Sequence, residues 1–242
     1  MKKIYITTPI YYVNSSPHIG HAYTTLAADV LARYYRGQKK EVFFLTGTDE
    51  HGQKIADSAE ASGQTPEDFT TQNASLFKDA YRELNILPDD FIRTTEARHK
   101  KGVYKFFKKL KPYIYKGKYQ GLYCQGCEKF LTEKDLVARL CPDHKTKPQK
   151  IVEENYFFKL EEFLPRIKDL IEKDEIEISP RERKQEAINL CKDLKDFSIS
   201  RESVEWGIPF PGDSSHAIYV WVEALLNYRT ACRKGFWPPD LQ

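Results

Sequence analysis

Thr8-Pro9-Ile10-Tyr11-Tyr12-Val13-Asn14-Ser15-Ser16-Pro17-His18-Ile19-Gly20-His21 joins two kinds of periodicity, and its reading decides the fold. Ahead of it, Lys3 to Thr8 carries Ile4, Tyr5 and Ile6 before two threonines, a short apolar run that suits a buried strand. Behind it the period turns helical, with Leu26, Ala27, Val30, Leu31 and Tyr34 on one stripe. Two histidines three residues apart therefore stand at the mouth of a helix, with a glycine between them. Unpaired backbone N–H groups and the helix dipole favour an anion there. Gly20, without a side chain, would let a flat group such as a nucleotide base lie against the backbone. The imidazoles of His18 and His21 would then hydrogen-bond a phosphate whose charge grows during reaction. A polar turn after Pro17 would explain a lone H-x-x-H; the strand before and the helix after favour the phosphate site.

Arg36-Gly37-Gln38 ends the helix, and Glu41 to Gly47 reads as a second buried strand. Strand, helix and strand in this order predict a parallel βαβ unit, whose ligands bind beyond the carboxyl ends of the strands. His18 and His21 follow the first strand, Asp49 and His51 the second, so all four should converge on one crevice. Asp49 suits two roles: a partner for an α-amino group, or the N-cap of a helix starting near Gly52-Gln53. Further on, Thr65-Pro66-Glu67-Asp68 opens a helix with Ala74, Phe77, Tyr81 and Leu84 on one stripe. Lys101 to Leu110 predicts another, with Val103, Phe106, Phe107 and Leu110 inward. Its opposite side carries Lys100, Lys101, Lys105, Lys108 and Lys109, either a solvated face or a contact for nucleic-acid phosphates.

Lys111-Pro112 breaks that helix and short β segments follow. Among them stand Cys124-Gln125-Gly126-Cys127 and Cys141-Pro142-Asp143-His144. The C-x2-C and C-x2-H pairs supply three thiolates and one imidazole, the closed tetrahedral set of a structural Zn²⁺ site. Gly126 fits the tight turn that brings N–H groups toward the thiolates. Asn155 to Leu160 reads as a strand, and Phe163 to Ile171 and Ala187 to Leu194 as helices, with Cys191 a core filler. Near the end, Ile218 to Trp221 reads as a strand entering a helix. There Trp221, Ala224, Leu225 and Tyr228 fall at i, i+3, i+4 and i+7 and share a face. Such a face suits a flexible thioether, and it suits a core stripe equally well.

The 242 residues suffice for one large domain or two modest ones. Charged residues at 30% and apolar ones at 40% describe a water-soluble chain, and no apolar run is long enough for a membrane span. A net charge of +3 is too small to mark a nucleic-acid binder by itself. Met1-Lys2-Lys3 runs into the first strand without an apolar leader, so a cytoplasmic location is expected. The five cysteines then point to metal or packing, not disulfides.

Pro17-His18-Ile19-Gly20-His21 behind a strand resembles the HIGH signature of class I aminoacyl-tRNA synthetases. Thr7 to Asn14 and Thr46-Gly47-Thr48-Asp49-Glu50-His51-Gly52 resemble the methionyl-tRNA synthetase family in particular. The cysteine–histidine quartet is similar to the single-knuckle insertion of some bacterial members, and Asp196 to Arg201 and Trp206 to Gly212 look like the segment leading back to the catalytic sheet. The resemblance implies an α/β fold: a Rossmann-like parallel sheet interrupted by an α+β connective insertion with a zinc knuckle. Residues 1–112 would form its first half, 113–217 the insertion with the knuckle at about 119–150, and 218–242 the start of the second half.

The activity implied is methionine–tRNA ligation, in which ATP activates methionine to methionyl-adenylate and the aminoacyl group passes to tRNA(Met). Methionine, ATP and tRNA(Met) would be the partners, with Mg²⁺ arriving with ATP and Zn²⁺ structural. His18 and His21 would be catalytic, and Pro17, His18, Gly20, His21 and Arg201 would contact ATP; the Arg201 guanidinium, which forks well onto phosphate oxygens, suits an ordinary surface ion pair equally. Pro9, Ile10, Tyr12, Asp49, Trp221, Ala224, Leu225 and Tyr228 would hold methionine, and Cys124, Cys127, Cys141 and His144 the zinc. The large editing insertion of the isoleucine, valine and leucine enzymes is not expected. No KMSKS-like string follows, so a fragment with an incomplete active site is expected. The rival readings are another H-x-G-H nucleotidyl transferase and a non-catalytic zinc module gripping tRNA or a partner.

Overall fold

The computed structural model describes residues 3–241 except 125, 128, 132 and 203, with the backbone alone at 119, 120, 129, 130, 134 and 151. The apolar run Ile4-Tyr5-Ile6 forms β1 (Lys3–Thr7), buried from Ile4 onward. β2 (Tyr11–Tyr12), α1 (Ile19–Gly37), β3 (Glu41–Asp49), α2 (Gln53–Ala61), α3 (Pro66–Glu83), β4 (Asp90–Arg93) and α4 (Ala97–Leu110) follow. β1, β2 and β4 all pair with β3, and all in parallel. Thr48 pairs with both Tyr11 and Arg93, so β2 and β4 flank β3 on opposite edges. One face of the sheet packs Ile4, Ile6, Val42 and Phe44 on Ala28, Ala32, Phe77 and Tyr81. The other packs Tyr5, Phe43, Leu45 and Ile92 on Ala231 and Phe236.

The β3–β4 pairing depends on Gly47. A Cβ there would stand 2.1 Å from the Ile92 carbonyl oxygen, a backbone atom that cannot move without the strand. Gly47→Ala is expected to cost about 3 kcal/mol or more and to lower Tm by roughly 6–12 °C, readable by calorimetry.

The stripe of α1 is placed differently from an ordinary amphipathic helix. Leu26, Val30, Leu31 and Tyr34 are 40–58% exposed, and Ala27 is exposed beside them. The buried line is Thr25, Ala28, Asp29 and Ala32. Small alanines let the helix lie close to the sheet. The two polar residues are fully used: Tyr11 and Thr25 hydroxyls meet at 2.8 Å, and Asp29 accepts from the Leu87 N–H at 2.9 Å and from Arg33 Nε at 2.5 Å. Hydrogen bonding and size, not hydrophobicity, chose this face.

β5 (Ile114–Cys124) and β7 (Gln149–Phe158) form a long antiparallel pair, flanked by β6 (Lys129–Leu131) on β5 and β8 (Phe197–Ser198) on β7. α5 (Leu164–Glu172) and α6 (Lys184–Asp193) follow β7 and pack on each other. Among the described residues α6 buries Ile188; Cys191, expected as a core filler, is only half-buried.

β9 (Ser200–Arg201), β10 (Pro209–Phe210) and β11 (Asp213–Ile218) make a second antiparallel sheet, in the order β10-β11-β9. The strand expected at Ile218 to Trp221 thus ends at Ile218 and belongs to this small sheet. Trp221 already lies in α7 (Val220–Leu225), which α8 (Asn227–Thr230) continues. The chain rejoins the parallel sheet later. Leu241 bridges Ile6 in parallel, and Asp240 accepts from the Tyr5 N–H at 2.9 Å. That contact uses the edge of β1 turned away from β3. Among the described residues no helix is long and apolar enough to cross a membrane.

Candidate active site

His18 is the N-cap of α1 and folds back over the helix mouth. Its Nδ1 accepts from the Gly20 N–H at 3.1 Å, while the His18 N–H donates to His21 Nδ1 at 3.2 Å. The rings stack with centroids 3.7 Å apart. A Cβ on Gly20 would come 3.0 Å from His18 Cε1, so the glycine makes room for this imidazole. That is a more local reason for the glycine than the base contact expected from sequence. Because both Nδ1 atoms accept, each neutral ring carries its proton on Nε2. Burial and the neighbouring His18 lower the His21 pKa, which keeps that ring neutral near pH 7. The pair therefore presents two N–H donors of fixed tautomer at a helix N-terminus, an arrangement suited to an anion.

β2 adjoins both this mouth and a cavity. The Tyr11 ring turns toward His21, centroids 4.7 Å apart, while Tyr12 lines the cavity on the other side. With it line Pro9, Ile10, Asp49, Trp221, Ala224, Leu225 and Tyr228, eight residues expected from sequence to share one pocket. The volume of about 800 Å³ suits a small molecule. Asp49 is not a helix cap: α2 has Gly52 as its N-cap, without a side-chain hydrogen bond. Trp221 and Leu225 remain more than half exposed, whereas Ala224 and Tyr228 are buried, so the i, i+3, i+4, i+7 face is a cavity wall and not a core stripe.

The Asp49 loop is held through its neighbours. Glu50 is fully buried and accepts from Thr48 Oγ1 at 2.6 Å, Arg93 Nε at 2.7 Å and Thr95 Oγ1 at 2.5 Å. Trp206 Nε1 donates to the Glu50 carbonyl at 2.6 Å, and the Gly52 N–H to the Trp206 carbonyl at 2.9 Å.

Cys124, Cys127, Cys141 and His144 converge, their ligand atoms all within 4.8 Å of one another. Cys127 and Cys141 sulfurs lie 3.4 Å apart, and His144 Nδ1 is 3.2–4.0 Å from the three sulfurs. A zinc tetrahedron with ordinary bond lengths has edges of about 3.5–3.8 Å, so three thiolates and one imidazole fit the ion. A hydrogen bond from the His144 backbone lowers the Cys141 thiol to about 6, favouring the thiolate a metal needs. Gly126 is required for a reason other than turn geometry: a Cβ there would stand 2.4 Å from His144 Cδ2. The expected outcome with metal is one Zn²⁺ per chain by elemental analysis. Chelation should abolish hydrogen-exchange protection at residues 122–146 and leave β1 and β3 protected.

Gly126, Cys127, Asp143 and His144 also line the cavity. Sequence reasoning missed this, together with Lys54 and Asn227, because nothing local tells a knuckle which distant surface it will cover.

Arg201, expected to contact ATP, lies on β9. It is 5% exposed, lies 4.0 Å above the Tyr219 ring, and donates to Ser198 Oγ at 2.9 Å and the Ser200 carbonyl at 2.7 Å. It borders a separate space of about 10 Å³, room for no more than one water. Ion-like burial with carbonyl acceptors uses the guanidinium as a structural clamp.

A family model described as class I tRNA synthetases (M) matches residues 4–153 and 144–237. The chain belongs to this family. Its relatives include the methionine–tRNA ligases of Thermotoga maritima, 44% identical across 99% of this chain and 40% of that protein, and of Streptomyces coelicolor, 46% identical across 95% and 45%. Among solved structures, Mycobacterium tuberculosis methionyl-tRNA synthetase with methionyl-adenylate superposes with a TM-score of 0.92, at 36% identity over 99% of this chain and 50% of that one. The free form of the same protein superposes less closely, at 0.82. The chain therefore spans about 40–45% of the length of these curated relatives.

Proposed function

We propose that this chain carries the methionine-recognising and phosphate-binding part of a methionine–tRNA ligase. A methionine carboxylate oxygen attacks the ATP α-phosphorus, pyrophosphate leaves with its Mg²⁺, and the aminoacyl group then passes to tRNA(Met) in the cytoplasm. Residues 1–112 serve as the first half of the catalytic domain, 113–217 as the insertion and 218–242 as the start of the second half. Asp49 holds the substrate ammonium, with the Pro9 backbone nearby. Ile10, Tyr12, Trp221, Ala224, Leu225 and Tyr228 surround the thioether, where sulfur–aromatic contacts select it. At the helix mouth, behind Pro17 and beside Gly20, the Nε2–H groups of His18 and His21 donate to the phosphate as its charge grows. The zinc ligands act only as structure, since four protein ligands leave no open position.

The observation that carries this reading is the sharing of one cavity by Asp49 and the Trp221–Tyr228 face, one β2 strand away from the histidines. Calorimetry of this chain with methionine, leucine and norleucine tests the pocket: methionine binding that exceeds leucine supports it, and equal or absent binding refutes it. Methionine-dependent ATP–pyrophosphate exchange by the ligase carrying this sequence tests the reaction.

A further inference from the structure

One buried ionisable cluster has no part in the scheme above. Glu223 on α7 is fully buried, and each of its oxygens meets an imidazole: Oε1 with His51 Nδ1 at 2.7 Å, Oε2 with His99 Nε2 at 2.8 Å. An ionised carboxylate only accepts, so those two nitrogens carry the protons. His99 Nδ1 then accepts from Thr230 Oγ1 at 2.8 Å. Burial pushes the Glu223 carboxyl up, but the two imidazole bonds outweigh it and hold the group below the usual carboxylate range. Both histidines are themselves at most 2% exposed.

The attachment of each member gives the cluster its meaning. Glu223 stands between Trp221 and Ala224, two wall residues of the cavity. His51 lies two positions beyond Asp49, on the loop whose Glu50 is already clamped by Arg93. The partners are 172 and 124 residues from Glu223 along the chain. An amino acid gripped at its ammonium by Asp49 and at its side-chain tip by Trp221 and Tyr228 is measured by the distance between those two elements. A satisfied buried polar network fixes such a distance more sharply than apolar contact does.

We infer that the His51–Glu223–His99 bridge is a positioning device that sets the spacing between the Asp49 loop and the Trp221–Tyr228 wall, and so the side-chain length the cavity accepts. This rests on reading the cavity as the amino-acid site. His51 and Glu223 are positioning residues; neither lines the cavity.

The test is a rescue series. His51→Leu removes the donor, whereas His51→Asn keeps an amide N–H where Nδ1 stood. In the first, amide exchange is expected to accelerate jointly at residues 49–52 and 220–225, and methionine Kd to rise about tenfold; the second should stay within about twofold of wild type. In the ligase carrying this sequence the loss should fall on KM, with kcat changed less than about twofold. Glu223→Gln should match His51→Leu; should it fail to fold, the His51 pair still decides, since Glu223 keeps its His99 bond. Exchange that changes only near residue 51, or an Asn variant no better than Leu, overturns the bridge. A wild-type chain that ignores methionine would instead overturn the site reading, while the joint exchange response would still decide the bridge.

Discussion

Asn in place of His21 is expected to slow methionine-dependent ATP–pyrophosphate exchange about 10²–10³-fold in the proposed ligase, the cost of losing one donor to a transition-state charge. Methionine Kd should stay within about twofold, because His21 is not among the residues lining the cavity and Tyr11 stands between. The asymmetry separates a transition-state role from simple binding. His21 also helps build the helix mouth, since its Nδ1 accepts the His18 N–H. The Asn side chain can keep that local bond while lacking a group at the Nε2 position. A rate within threefold of wild type would remove His21 from the phosphate site. Acid adds a check on the same residue. Its folded pKa lies below that of the free imidazole. The unfolded chain therefore takes the proton first, and stability falls as pH drops from about 6.5 through the folded value. His21→Asn should flatten that part of the stability profile, measured by urea titration at pH 5 and 7.

The second large effect belongs to Asp49. Asp49→Asn should raise methionine Kd about 10²-fold and leave the affinity for ATP alone unchanged, both readable by calorimetry. An ammonium beside a neutral amide in a partly dry cleft loses its counter-charge, and breaking a buried ion pair costs about 3–5 kcal/mol. Asp49 is half-buried, so the lower part of that range applies. Loss of a cap on α2 is not the cause to expect, since Gly52 holds that position. Methionine affinity unchanged by this substitution would move the amino group elsewhere.

Much of this was legible because it is local. The run Ile4-Tyr5-Ile6, the turn at Pro17–His21 and the metal quartet each declare themselves within a few residues, and Asp49 and Trp221 were expected on one cavity and line it together. Periodicity reports which residues of a helix share a face, but not what that face meets. Leu26, Val30, Leu31 and Tyr34 do share one, yet α1 turns Ala28 and Ala32 to the sheet because small side chains allow the closer approach. Ile218 to Trp221 has strand composition on both sides of a real boundary, and only the antiparallel partners of β11 end it at Ile218. Arg201 has the right chemistry for phosphate, but its own stretch of sequence does not show the buried serine and carbonyl acceptors that it also meets. The Glu223 bridge could not be read at all, since its partners come from three distant segments.

The knuckle residues Cys127, Asp143 and His144 line the same cavity as Trp221. Part of a pocket otherwise lined from the parallel sheet's end and from α7 and α8 is thus supplied by a separately stapled turn. Of its cavity-lining residues Asp143 alone is outside the metal quartet and needs no glycine, so its chemistry can change without disturbing a strand pairing beneath. On the proposed function, a compound that fills more of this cavity than methionine would meet that turn, so discrimination among related proteins by such compounds would reside in the insert, not in the nucleotide fold.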